Sequence, residues 1–130
     1  MEITVEQVQD AVAVMHITGD INASNFMEVI ERAREMYGNP ARNLILDMSN
    51  VSSISSTGVV GIHKIALIYS GSSQQDVEEN ENPDFTHIGS ARKHVRLLNP
   101  QPDVEKTLEK SGMKLFFKIF NSLEDAIKSF

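Results

Sequence analysis

The sequence predicts an α/β domain, a mixed β-sheet of about five strands with four helices packed against it. Three observations carry this. Ile3 to Gln9 alternates with a period of two, the run Ala11 to Ile17 follows it, and β-branched residues dominate both. Later segments repeat their apolar residues at helical spacing, each opening on a capping residue or a proline. Between them lie short runs, such as Leu44-Ile45-Leu46, that are apolar on both faces, as a covered central strand requires.

In chain order, Ile3 to Gln9 and Ala11 to Ile17 read as two strands joined by a tight Gln9-Asp10 turn. Gly19-Asp20 breaks the second strand, and Asn22 or Ser24 can cap a helix whose apolar positions are Phe26, Ile30, Ala33 and Tyr37. Gly38-Asn39-Pro40 ends that helix. Asn43 to Asp47 is a strand. The polar run Ser49 to Gly58 follows, and then a helix from Val59 to about Tyr69, apolar almost all round. From Ser70 to Lys93 the composition shifts to Gly, Ser, Gln, Asn and acids, an insertion expected to be disordered because its few apolar residues cannot offset the entropy of ordering it. His94 to Leu98 is a strand. Pro102 begins a helix with Val104, Leu108 and Met113 inward, ended by Ser111-Gly112. Leu115 to Phe120 reads as a last strand, and Ser122 caps a last helix, Leu123 to Phe130, with Leu123, Ala126, Ile127 and Phe130 facing the core.

Composition narrows the function classes. At 130 residues, 41% of them hydrophobic and 23% charged, the chain has room for one globular domain, residues 1–130. Twelve Lys plus Arg against 18 Asp plus Glu give a net charge of −6, which disfavours nucleic acid as a partner. The chain has no Cys, so neither a disulfide framework nor a thiolate metal site is expected. The longest apolar stretch, Val59 to Tyr69, is interrupted by His63 and Lys64 and is far short of the roughly 20 residues a membrane span needs. No basic and then apolar leader opens the sequence, and a cytoplasmic site of action is expected.

The catalytic signals are weak. His16, His63, His87 and His94 form no i, i+4 pair, and the acids of the insertion lack the order of a calcium loop, so no metal is expected. His63 reads as a solvent-facing helix residue. The serines before the apolar helix lack the Gly-x-Ser-x-Gly elbow and a neighbouring base, and no glycine-rich phosphate loop or other cofactor signal is present. A binding protein, not an enzyme, is the expectation. One of Ser55, Ser56 and Thr57 can serve simply as the cap of the following helix. The shortage of polar residues on that helix implies either deep burial or an adhesive outer surface.

The run Leu44-Ile45-Leu46-Asp47 through Ser55-Ser56-Thr57-Gly58 resembles the anti-sigma factor antagonists, the bacterial family that defines the STAS domain. There, an apolar strand carrying an Asp runs into a loop that ends acid-Ser-Ser/Thr-Gly before an apolar helix. Gly19-Asp20-Ile21-Asn22 resembles the family's turn between its second strand and first helix, and the element order matches apart from Ser70 to Lys93. The resemblance implies a STAS-like fold and a regulatory module of transcription or stress response that binds an anti-sigma factor or a related serine/threonine switch kinase. It puts the phosphorylated serine on Ser56, followed by Thr57 and Gly58. Ser55 stands where the family usually has an acid, so a kinase that reads the acid would phosphorylate this loop poorly. The partner surface expected on this basis joins Gly19, Asp20 and Asn22 to Ser55, Ser56, Thr57, Gly58, Val59, Ile62 and His63. Two other roles fit the same fold: a scaffold subunit that packs with other STAS proteins, and a small-ligand or nucleotide sensor.

Overall fold

Alternating β-branched residues form β1 (Glu2–Gln9) and β2 (Val12–Thr18), which pair antiparallel from Glu2 opposite Thr18 to Gln9 opposite Val12. The structure, a computed structural model, describes residues 1–9, 11–38, 41–69, 94–115 and 117–130, without the side chain of Leu115. Asp10 of the expected first turn, Asn39-Pro40 and the insertion Ser70 to Lys93 lie outside the described residues. The apolar β3 (Asn43–Asn50) joins β2 in parallel, β4 (Val95–Leu98) joins β3, and β5 (Ile119–Phe120) joins β4, also in parallel. Spatial order follows chain order from β1 to β5, so β1 and β5 are the edges.

Parallel neighbours need crossovers, and helices supply them. Helix α1 (Phe26–Met36) links β2 to β3, α2 (Ser56–Tyr69) follows β3, α3 (Pro102–Lys110) links β4 to β5, and α4 (Leu123–Lys128) follows β5. Successive strand residues point to opposite faces, which divides the interior in two. Ala13, Met15, Ile17, Leu44, Leu46 and Met48 meet the buried sides of α1, α2 and α3. Val12, Val14, Ile45 and Leu98 meet Ala126 of α4 on the other face. Helix α4, six residues long, packs over β4 and β5 and reaches only the starts of β2 and β3. Their carboxyl ends, with His16, Asp47 and Ser49, stay partly exposed on that face.

Several boundaries differ from the expectations above. Asn25, not Asn22 or Ser24, occupies the cap position of α1, and its side chain makes no cap bond because it is committed to the preceding turn. Helix α2 begins a turn earlier than Val59. The last strand holds only Ile119–Phe120, since Met113–Leu115 forms a 3₁₀ turn that closes α3 onto the core. Helix α4 stops at Lys128, and Phe130, expected in the core, is 36% exposed with its ring under the guanidinium of Arg96.

Candidate functional site

Two loops leave the carboxyl ends of β2 and β3, and the backbone stitches them together. Gly19 turns the chain out of β2 with φ of 110°, a conformation that favours glycine, and its N–H donates to Asn50 O at 3.0 Å. Ile21 N–H donates to Ser53 O at 3.0 Å and Ile21 O accepts from Ser55 N–H at 2.9 Å, a short parallel bridge outside the sheet proper. Side chains add to this. The Asp20 carboxylate accepts from the Ser52 hydroxyl. Hydrogen bonds from Ser52 and Ser53 hold that exposed carboxyl below the usual carboxylate range. Asn25 donates to Asp20 O at 2.7 Å and accepts from Asn22 N–H at 2.9 Å, while Asn22 accepts from both N–H and O–H of Ser24. The turn Gly19 to Asn25 is thereby tied to the loop 51–55.

The start of α2 sits on this platform. The Ser55 hydroxyl accepts from Gly58 N–H at 3.1 Å and Ser55 O from Val59 N–H at 3.0 Å, so Ser55 caps the helix. Gly58 is buried against the bridge. A Cβ there would lie 2.6 Å from Ile54 Cγ1 and 2.9 Å from both Ile21 Cγ2 and Ile21 O, a space no side chain can share. Ser56 and Thr57, between cap and anchor, hold the first two helical positions. Ser56 is exposed, and among the described residues no hydrogen bond engages its hydroxyl. The N–H groups of a first helical turn have no intrahelical acceptor, so this hydroxyl lies beside free donors at the positive end of the helix.

Of the expected surface residues, the structure brings Gly19, Asp20, Asn22, Ser55, Ser56, Thr57 and Gly58 together at one end of the sheet. It removes the other three. Val59 and Ile62 are 2% exposed and His63 is 0% exposed, so none of them can meet a partner and His63 does not face solvent. The reason is register: α2 packs on the sheet with one side and on α1 with another, and only a narrow strip is left. That strip is Ser56, Thr57, Val60 and Lys64, spaced one turn apart. Lys64 marks it in the sequence as the one charged residue between Ser56 and Tyr69. Ser52 and Ser53 were legible only as loop.

A second polar group lies on the sheet face that α4 leaves open. His16 Nδ1 is 2.6 Å from Asp47 Oδ2, and His16 Nε2 is 3.5 Å from Glu6 Oε1, across three adjacent strands. Burial disfavours the imidazolium, but Asp47 and Glu6 outweigh it and raise the histidine pKa above its ordinary value. Burial also opposes ionisation of Asp47, yet the Ser49 hydroxyl and N–H and the contact with His16 keep its carboxyl below the usual range. Among the described residues no group of three or more His, Asp or Glu could hold a metal ion, and no helix is long and apolar enough to cross a membrane. The cavity directly beneath the loops, lined by Ile17, Phe26, Gly58 and Ile62 among others, measures about 10 Å³. That volume suits about one water and no organic ligand. The arrangement offers surface recognition.

Solved structures with this architecture include an anti-sigma factor antagonist from Mycobacterium paratuberculosis, 16% identical, with a TM-score of 0.71 over 98% of this chain and 92% of that one. The Bacillus cell fate determinant SpoIIAA in its phosphorylated form is 16% identical, with a TM-score of 0.60 over 98% and 97%. The murine anion transporter Slc26a9 is 19% identical, with a TM-score of 0.66 over 94% of this chain and 18% of its own. At these identities the likeness is one of fold. No curated protein matches the chain in sequence. The family model for the STAS domain matches residues 2–69, more than half of the 130-residue chain and the stretch that contains both loops and all of α2. The chain belongs to the STAS domain family.

Proposed function

We propose that this protein is a cytoplasmic anti-sigma factor antagonist, a non-catalytic binding module whose affinity for an anti-sigma factor or related switch kinase is set by phosphorylation of Ser56. The observation that carries this is the placement of Ser56: exposed, with an unengaged hydroxyl, on the first turn of a helix whose start is locked by the Ser55 cap and the Gly58 contact. Similar folds belong to proteins described as anti-sigma factor antagonists, among them SpoIIAA, which is solved in unphosphorylated and phosphorylated forms, and this supports the reading. The partner surface in this reading is Asp20, Asn22, Ser52, Ser56, Thr57, Val60 and Lys64.

A phosphate on Ser56 adds about −1.5 to −2 charge beside helix N–H donors, where the free protein tolerates it. In a complex the same group must shed water against the partner, and a cost of about 3 kcal/mol already weakens binding by roughly a hundredfold. The test uses a purified anti-sigma factor kinase that the unphosphorylated wild-type protein binds. Ser56→Ala should bind it constitutively, and Ser56→Asp should bind roughly a hundredfold more weakly while melting like wild type. Mass mapping after incubation with kinase and ATP should place the label on Ser56. An unlabelled protein whose Ser56→Asp variant binds normally would refute the switch.

A further inference from the structure

We infer that β1 and the start of α1 form a second docking surface, which takes an extended partner segment of alternating apolar and basic residues as a sixth strand. β1 is an edge strand of eight residues, so alternate N–H and C=O groups along it point away from β2 with no sheet partner among the described residues. Beside it runs an open groove of about 510 Å³ lined by Met1, Ile3, Met27, Glu28, Glu31 and Arg32. Met1 and Met27 are 42% and 49% exposed, two of the three large apolar side chains most exposed among the described residues, and both lie in this groove.

The pattern along the edge selects the occupant. Ile3 and Val5 face the helix side with Met27, whereas Glu2, Thr4 and Glu6 face the other side and are exposed. An added strand of period two would lay its apolar row along Ile3, Val5 and Met27 and its other row against Glu2, Thr4 and Glu6. In that second row Glu2 makes no ion pair among the described residues and Glu6 meets only His16, at 3.5 Å, and β1 holds two acids and no base. Lys or Arg in the second row therefore meets opposite charge. A second copy of β1 would set acids against acids, which disfavours self-pairing. This surface lies along the sheet edge, apart from the Ser56 loop, and is independent of phosphorylation.

The test is titration of the isotope-labelled chain with a capped heptapeptide of alternating Lys and Ile, followed by amide NMR. Saturable shifts confined to β1 and the first half of α1 are expected, with at least about tenfold weaker binding for the Glu-Ile peptide, for Met27→Lys and for Glu2→Lys. Both substitutions are at exposed positions, so the fold persists and their spectra should otherwise match wild type. Any of four results overturns the inference: no saturable shift up to about 1 mM peptide; shifts centred on the Asp20 and Ser56 loops; equal binding of the Glu-Ile peptide; or concentration-dependent β1 shifts without peptide, which would make a second copy the occupant.

Discussion

Gly58 and Gly61 lie three residues apart on α2 and respond differently to a methyl group. At Gly58 the methyl meets the fixed backbone oxygen of Ile21 at 2.9 Å, so the helix must shift off the bridge. Gly58→Ala should cost about 1 to 3 kcal/mol in chemical denaturation. At Gly61 the methyl would sit at an ordinary 3.4 Å from Phe26 Cδ2, and Gly61→Ala in a helix interior should gain about 0.5 to 1 kcal/mol. Equal effects would contradict the packing. His16 supplies a pH test. Its pKa is raised from the ordinary 6.5, so its contribution is fully present below about 6.5 and is lost as pH rises through the folded value. The Asp47 pKa is lowered from 3.8, so its contribution is present above 3.8 and is lost as pH falls through the folded value. The pair therefore stabilises most between those limits. His16 is a third exposed, which keeps the effect below about 1 kcal/mol, and His16→Gln should flatten the stability profile around neutral pH. A wild-type profile already flat there would show that the pair contributes nothing.

Helix α2 shows what happens when an element is apolar all round. The sequence leaves two outcomes open, burial or an adhesive outer face, and the packing of α1 beside it decides for burial. Ile62→Ala should cost about 2 to 5 kcal/mol and Ile62→Asp should prevent folding, whereas Val60→Glu, on the outward strip, should fold normally. In the proposed function Val60→Glu weakens partner binding without lowering the melting temperature. A folded Ile62→Asp protein would overturn this assignment. The caps were partly legible. Ser122 caps the last helix as its sequence predicts and accepts from Asp125 N–H, but Asn25 takes the cap position of α1 because Asn22 and Asn25 bond the turn before it. Capping residues clustered in one turn compete, and spacing alone does not choose among them.

The whole molecule assigns unequal cover to the two sheet faces. Among the described residues three helices bury one face, while the short α4 covers part of the other and is held by Arg96. Arg96 Nε donates to Ser129 Oγ at 2.9 Å, and its guanidinium lies 4.5 Å from the centre of the Phe130 ring. Phe130→Ala should therefore loosen α4 by about 0.5 to 1 kcal/mol, seen as faster amide exchange over Leu123–Lys128 while α1 and α2 keep their protection. Faster exchange across the entire sheet would instead make α4 part of one cooperative unit.

Element order, the glycine turn at Gly19 and the family resemblance were all legible in the residues, because each depends on local periodicity or on chain conformation near one position, whereas the cap of α2 stayed open among Ser55, Ser56 and Thr57. The sequence by itself therefore determined which segments become strands and helices and which loop carries Ser56. Only the tertiary structure decided which side of α2 faces water, why Gly58 admits no side chain, and that Asp20 braces Ser52. It also brought His16 beside Asp47, 31 positions away. The physical reason is that exposure and contact between distant residues depend on how elements pack, and an all-apolar helix carries no periodicity to announce its outward strip.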